Sequence, residues 1–262
     1  DGAERRVRPV PAVAPVSSTQ PGIAEIKGPL RASDGTASLE GAWDLLDLSI
    51  RTRREGLERT SLVMRGGRFT ARGPDFGEVS TASARFEAHV RPSPRHAPEA
   101  GALDIIMRSE GAVVPGLDAL VGGTEAATLE TQLTVTQAAF ARSGPPEQEL
   151  ERWRVAGGQV DLVLFALTKG QRRLEAKGQL GLDELRRPAG RIESASAALD
   201  GLLGRIVNGT GGLMALLGPR LAQGSREAPA NGLKPLPPIR LQDGRLFLGP
   251  LPTPGVVLRP LY

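Results

Sequence analysis

Residues 174–183 have the sequence LEAKGQLGLD, in which apolar or small residues alternate with charged or polar ones. The same period of two occurs at residues 46–51, 84–90 and 129–135. Side chains along a β-strand point alternately to opposite faces, so this pattern predicts strands with one apolar and one solvated face. Such strands are typical of antiparallel sheets.

The breaks between these stretches predict tight turns and few helices. Turn dipeptides occur at Asp34-Gly35, Gly66-Gly67, Lys169-Gly170 and Asp243-Gly244. Short helices are predicted near residues 115–121, 145–153 and 200–218, where Pro or acidic residues precede an apolar run or glycines interrupt one. The predicted fold is mainly β (α+β): a curled antiparallel sheet, half-barrel or taco-like, with a few short covering helices.

The chain divides into a short linker and one long domain. Residues 1–21 are rich in Pro, Ala and Val and start without Met, which predicts a linker that follows a removed signal or anchor segment. The pattern of residues 22–262 predicts a single β-rich domain. The alternative is that this region consists of two subdomains that meet near residues 113–150. This length is sufficient for a sizeable core.

Composition excludes several classes of function. Hydrophobic residues make up 40% and charged residues 24%, which is ordinary for a globular protein. The net charge of +4 is spread along the chain and only 3% of residues are aromatic, so the basic face with stacking rings that nucleic-acid binding requires is not predicted. Without cysteine, the chain has no disulfide, thiolate zinc site or cysteine nucleophile.

The sequence contains no recognisable arrangement of catalytic residues. His89 lies on the polar side of an alternating strand and His96 in a Pro-rich turn, so both are expected to be solvated, without a carboxylate or Ser partner, and dispensable. The glycines at 157–158 and 209–212 lack the spacing of nucleotide-binding loops. We therefore expect neither an enzyme nor a bound metal or cofactor.

Two stretches are apolar on both faces, 103–107 and 160–167. One explanation is a central strand covered by a helix on its second face, and the other is an apolar groove that faces a ligand. The groove hypothesis places the apolar segment Leu202–Leu217 over the strands as a lid. Its speculative ligand-binding residues are Leu103, Ile105, Met107, Val163, Phe165, Leu167, Leu202, Leu213 and Leu217.

Four segments of the sequence carry a resemblance to a known family. They read WRVAGGQVDL at 153–162, LEAKGQLGLD at 174–183, RPAGRI at 187–192 and LPPIRLQDGRLFLGPLP at 236–252. In this order they resemble domain-of-unknown-function family 2125 of alphaproteobacterial envelope proteins. The resemblance is clearest over residues 126–262, and the first half agrees only in style.

The resemblance implies a location and a character but no catalytic residue. It implies a signal or anchor segment, a periplasmic location and a character similar to AsmA-like proteins that handle lipid or help outer-membrane assembly. The expected function is a non-catalytic envelope protein that binds or shuttles lipid, with a membrane anchor before Asp1 as one option and envelope proteins as further partners. The alternatives are a structural scaffold or interaction module with a filled core and, third, an unrecognised enzyme.

Overall fold

The computed structural model describes residues 16–20, 22–33, 35–54, 56–74, 77–97, 101–138, 144–198 and 232–262. Strands dominate the described residues, in which only two helices occur. The strands are β1 (Val16–Gln20), β2 (Ile23–Ile26), β3 (Leu30–Ser33), β4 (Ser38–Ala42), β5 (Leu45–Arg53), β6 (Gly56–Gly73), β7 (Gly77–Pro92), β8 (Leu103–Ala112), β9 (Ala127–Val135), β10 (Val160–Lys169), β11 (Arg172–Leu182), β12 (Pro188–Ala197), β13 (Lys234–Pro235), β14 (Ile239–Gln242), β15 (Arg245–Leu248) and β16 (Leu251–Val257). The helices are α1 (Pro115–Val121) and α2 (Pro146–Val155).

All sixteen strands belong to one antiparallel sheet. The main path runs β1-β2-β5-β6-β7-β8-β9-β10-β11-β12-β14-β15-β16, with β3, β4 and β13 attached beside it. The edge strands β1 and β16 do not pair with each other, so the sheet is open, as a curled sheet that does not close would be. This architecture confirms the predicted fold class, and neighbouring strands are mostly consecutive because short turns join them.

The Gly66-Gly67 turn that we predicted does not form, because both glycines lie inside the eighteen-residue strand β6. The backbone of Gly66 has φ +60, and a side chain there would collide with the Asp44 carboxylate. A side chain at Gly67 would collide with the Met64 side chain. Close approach of neighbouring side chains, rather than a turn, therefore requires these glycines. The turns predicted at Lys169-Gly170 and Asp243-Gly244 do join β10 to β11 and β14 to β15.

The helix α1 covers one end of the sheet and creates the most deeply buried cluster of apolar side chains in the described residues. Pro115 occupies the first turn, which suits its fixed φ and missing N–H. Val121 of α1 packs with Ala112, Ala127 and Leu167, and each is at most 3% exposed. A buried ion pair ties the helix to the sheet, because the ammonium of Lys169, 1% exposed, donates a hydrogen bond to Asp118 of α1.

The helix α2 connects β9 to β10 and contacts the C-terminal segment. Its Trp153 is buried and donates a hydrogen bond from Nε1 to the Thr136 carbonyl oxygen (2.8 Å). Its Glu151 accepts hydrogen bonds from Arg154 Nη2 (2.8 Å) and the Tyr262 hydroxyl (2.8 Å). These two hydrogen bonds lower the pKa of Glu151 to about 2, so the contact persists over most of the pH range.

The structure also bears on the predicted linker at residues 1–21 and on the alternative of two subdomains that meet near residues 113–150. Strand β1 occupies residues 16–20, so the segment 1–21 that we predicted as a linker contains a strand. Near residues 113–150 the sheet continues without interruption, because β8 pairs with β9 across the α1 connection. Neither of the helices that the structure describes is long and apolar enough to cross a membrane.

Candidate functional site

The apolar side chains of one sheet face form rows that cross the strands. Directly paired residues of antiparallel strands point to the same face, so the register traces each row from strand to strand. A first row, the covered row, consists of Leu46, Met64, Phe86, Ser109, Leu129, Leu167, Leu174 and Ser196. A row four residues further along the strands, the open row, consists of Ile50, Thr60, Val90, Ile105, Leu133, Leu162, Gly178, Ile192, Ile239 and Leu248.

The two rows differ in exposure. Three residues of the covered row, Met64, Leu167 and Ser196, are buried, whereas its other five members are of intermediate exposure, and α1 packs at the Leu167 position of that row. No member of the open row is buried: Ile50 is 49% exposed, and the other nine are of intermediate exposure. The open row therefore crosses ten strands with side chains that keep some contact with solvent, and eight of its ten residues are aliphatic, the exceptions being Thr60 and Gly178. A contiguous exposed apolar patch is a common feature of binding sites.

Most of the described groove residues predicted from the sequence lie on this aliphatic face. They are Leu103, Ile105, Met107, Phe165 and Leu167. The structure distributes them differently, however: Ile105 belongs to the open row, whereas Leu167 belongs to the covered row and lies in the sealed cluster beside α1. Phe165 lies between the two rows and packs partly against that cluster. Leu202, Leu213 and Leu217 lie outside the described residues.

The expected placement of Val163 is wrong, and a β-bulge is the reason. The register of β10 against β11 shifts by one residue between Leu162 and Phe165, so these two side chains share the aliphatic face. Val163 therefore points to the opposite, polar face, where it is 43% exposed. There it lines a cavity of about 440 Å³ together with Glu175 and Lys177.

The bulge also explains why residues 160–167 looked apolar on both sides. One inserted residue moves the later apolar side chains onto the same face as the earlier ones, so Leu162 replaces Val163 in the open row. The alternation in β5, β7 and β9 was visible in the sequence, and it predicts that Ile50, Val90 and Leu133 lie on the apolar face. Leu162 had no such signal, because a bulge has no distinctive sequence pattern here.

The two histidines have partners that we did not expect. His89 does lie on the polar face, but its side chain is only 25% exposed and its Nε2 lies 3.7 Å from the Glu87 carboxylate. His96 Nδ1 lies 3.2 Å from the Ser93 hydroxyl oxygen. The expectation of solvated rings without a carboxylate or Ser partner is therefore wrong. Within the described ranges, no three His, Asp or Glu side chains converge as a metal site would require.

Neither a curated protein nor a solved structure matches this chain. A family model does match it, over residues 2–255. The match starts in the first half, where the sequence had suggested a likeness in style alone, and it therefore includes β2, β5, β6 and β7 of the aliphatic face as well as the later strands. The chain belongs to the family described as an uncharacterized protein conserved in bacteria (DUF2125).

Proposed function

We propose that this protein is a non-catalytic, periplasmic envelope protein that binds a lipid acyl chain along the open row. The observation that carries the proposal is the row of mostly aliphatic, partly exposed side chains from Ile50 to Leu248, in which eight of ten residues are Ile, Leu or Val. Aromatic residues are scarce in the chain, so the row is built mainly from Ile, Leu and Val. Such a surface suits a flexible hydrocarbon chain, which needs contact area but no directional hydrogen bond.

The length of the open row fits an acyl chain. Neighbouring strands lie about 4.8 Å apart, so a row that crosses ten strands spans roughly 43 Å. One leaflet of a bilayer contributes about 15 Å of hydrocarbon, half of the roughly 30 Å core. The row can therefore hold one extended chain with length to spare, or two chains end to end.

The energetics also allow the interaction. Burying about fifteen methylene groups contributes on the order of 12 kcal/mol at about 0.8 kcal/mol each. Association costs of at least about 4 kcal/mol oppose this gain. The remainder of about 8 kcal/mol corresponds to a Kd near 1 μM, which is suitable for a protein that must release its lipid again.

The envelope location is part of the same proposal. The resemblance to AsmA-like envelope proteins supports a periplasmic site of action.

The bulge in β10 offers a matched pair of variants to test this function. Leu162→Asp places a charge in the open row, whereas Val163→Asp places the same charge one residue away on the polar face. The purified protein and both variants are analysed by native mass spectrometry, and their organic extracts are analysed for phospholipid. We expect bound lipid with the unchanged protein and with Val163→Asp, and at least a tenfold loss with Leu162→Asp.

Circular dichroism of both variants is the control for folding. If Leu162→Asp is folded and keeps its lipid, the open row is not the binding surface. If neither the unchanged protein nor Val163→Asp binds phospholipid after incubation with phosphatidylglycerol vesicles, the lipid function itself fails. If Leu162→Asp unfolds, Leu162→Asn replaces it, because an uncharged polar group has a smaller cost in a half-exposed position.

A second candidate function is a structural scaffold or interaction module with a filled core. The observation that favours it is the buried cluster around Leu167, where α1 covers one part of the aliphatic face. In that case, the remaining rows would be filled by protein in the same way. In lipid-free protein, small polar reagents would then not reach the open row. The acyl-chain proposal requires the opposite, namely that these reagents reach the open row when no lipid is bound.

A further inference from the structure

A large cavity lies on the other, polar face of the sheet. It is a cleft of about 1130 Å³ at the ends of β5, β6, β7 and β8, bordered by the segment 92–97. Four arginines, two histidines and two carboxylates line it. These are Arg51, Arg53, Arg59, Arg91, His89, His96, Glu58 and Asp104. The formal charge of its described lining is therefore positive.

Three of these arginines lie side by side across adjacent strands. Arg51 of β5 is paired directly with Arg59 of β6. In the pairing of β6 with β7, Thr60 lies opposite Val90. Arg59 and Arg91 are the next residues on the two strands, so continuing the same register places them opposite each other. Strands are about 4.8 Å apart, and like charges directly opposite each other destabilise a sheet. This arrangement therefore has a cost in the free protein that an anion would relieve.

Nearby carboxylates neutralise only some of this charge. Arg53 donates a hydrogen bond to Glu58 (2.8 Å), and Arg91 lies 3.5 Å from Asp104. Among the described residues, neither Arg51 nor Arg59 has a carboxylate within ion-pair distance, although the charge of Arg51 does act on the Glu58 carboxylate. The central guanidinium groups of the cleft therefore keep their donors available to solvent.

The far wall of the cleft is held rigidly. Asp104 of β8 is buried and accepts hydrogen bonds from the Thr134 hydroxyl (2.9 Å) and from Arg95 (3.3 Å), which fixes the segment 92–97 to the sheet. His89 Nδ1 is buried and has no partner among the described residues. A buried ring nitrogen without a partner is uncommon in folded proteins.

We propose that this cleft binds a phosphate group through Arg51 and Arg59. A guanidinium group presents paired N–H donors in a plane that matches two phosphate oxygens, and two such groups on adjacent strands can hold one phosphate from both sides. The site lies on the face opposite to the open row, so it is independent of the acyl-chain proposal. Its ligand is either a soluble phosphate or the phosphate of a lipid headgroup.

The test is a thermal-melting series with inorganic phosphate at constant ionic strength, maintained with sodium chloride. The purified protein, Arg59→Gln and the control Arg173→Gln are compared; Arg173 is an exposed arginine on the polar face of β11, away from the cleft. Phosphate should raise the Tm of the unchanged protein and of Arg173→Gln. Phosphate binding by Arg59→Gln should be roughly tenfold weaker, as the loss of one charge-assisted hydrogen bond predicts.

A second readout separates this site from general screening of charge. Without phosphate and at low salt, Arg59→Gln should melt at or above the temperature of the unchanged protein, because the repulsion between Arg51 and Arg59 is removed. Equal phosphate responses of Arg59→Gln and Arg173→Gln would overturn the proposal. So would a response that sodium chloride alone reproduces.

Vesicles distinguish the two sources of phosphate. The same three proteins are sedimented with phosphatidylcholine vesicles that contain or lack phosphatidylglycerol. Arg59-dependent binding to the phosphatidylglycerol vesicles assigns the cleft to a lipid headgroup. Arg59-dependent binding to inorganic phosphate alone assigns it to a soluble phosphate. Both results support the site, whereas Arg59-independent behaviour in both assays rejects it.

Discussion

The covered row and the open row lie on the same sheet face and contain similar aliphatic residues, yet buried side chains occur only in the covered row. In the covered row, Leu167 is 2% exposed because α1 and its residue Val121 pack over it. In the open row, Ile105 and Leu133 keep partial exposure. Hydrophobic pattern therefore determines which face is apolar, and the elements packed on top determine whether that face becomes core or surface.

The largest expected difference between the rows is in the cost of removing a leucine side chain. Leu167→Ala should lower the free energy of unfolding by about 4 kcal/mol, because it leaves a cavity in a packed site. Leu133→Ala should lower it by only about 1 kcal/mol, because the half-exposed side chain loses less burial and solvent fills the gap. Urea denaturation measures both values. Equal losses would mean that the two rows do not differ in packing.

The second expected effect concerns the ion pair that fastens α1 over the covered row. Asp118→Asn removes the charge partner of the buried Lys169 ammonium and should lower the free energy of unfolding by about 3 kcal/mol, near the lower end for buried pairs because Asp118 is partly exposed. The control Glu125→Gln breaks the more exposed pair with Arg172 and should cost less than about 1 kcal/mol.

Denaturant unfolding of these two variants shows whether the ion pair between Asp118 and Lys169 stabilises the packing of α1 on the sheet. If Asp118→Asn is no more costly than Glu125→Gln, α1 is held by apolar packing alone. A double variant, Asp118→Leu with Lys169→Met, should recover most of the lost stability, because it replaces the buried pair by apolar groups.

The smallest expected effect lies on the polar face and depends on pH. Burial acts to raise the pKa of Asp104, but hydrogen bonds from Ser93, Thr134 and Arg95 outweigh it, so the pKa lies below the ordinary value of 3.8. A carboxylate with a lowered pKa in the folded protein stabilises the fold above its unfolded pKa and loses this contribution as the pH falls through its folded pKa. The stability advantage of the unchanged protein over Asp104→Asn should therefore be constant above about pH 5 and shrink below about pH 4. An advantage independent of pH would contradict the assignment.

The sequence predicted the faces of the sheet well and the coverage of those faces poorly. Alternation in 46–51, 84–90 and 129–135 placed Ile50, Val90 and Leu133 correctly, because a period of two is a local property. The bulge at Val163 and the role of Gly66 depend on neighbouring strands, so no local pattern contained them. The placement of Lys169 beneath α1 and the alignment of Arg51 with Arg59 arise from register and topology, which become visible only when the strands are paired.

The most direct test of the account measures access to the open row in the presence and absence of lipid. The chain contains no cysteine, so Ile105→Cys and Leu167→Cys each introduce one thiol without further changes. The rate of maleimide labelling is measured in delipidated protein and again after addition of phosphatidylglycerol. We predict that the thiol at residue 105 reacts readily without lipid and at least tenfold more slowly with it, while the thiol at residue 167 stays unreactive in both. A thiol at residue 105 that is unreactive in delipidated protein, or whose labelling rate is unchanged by lipid, would contradict the proposal that the open row is an accessible lipid-binding surface.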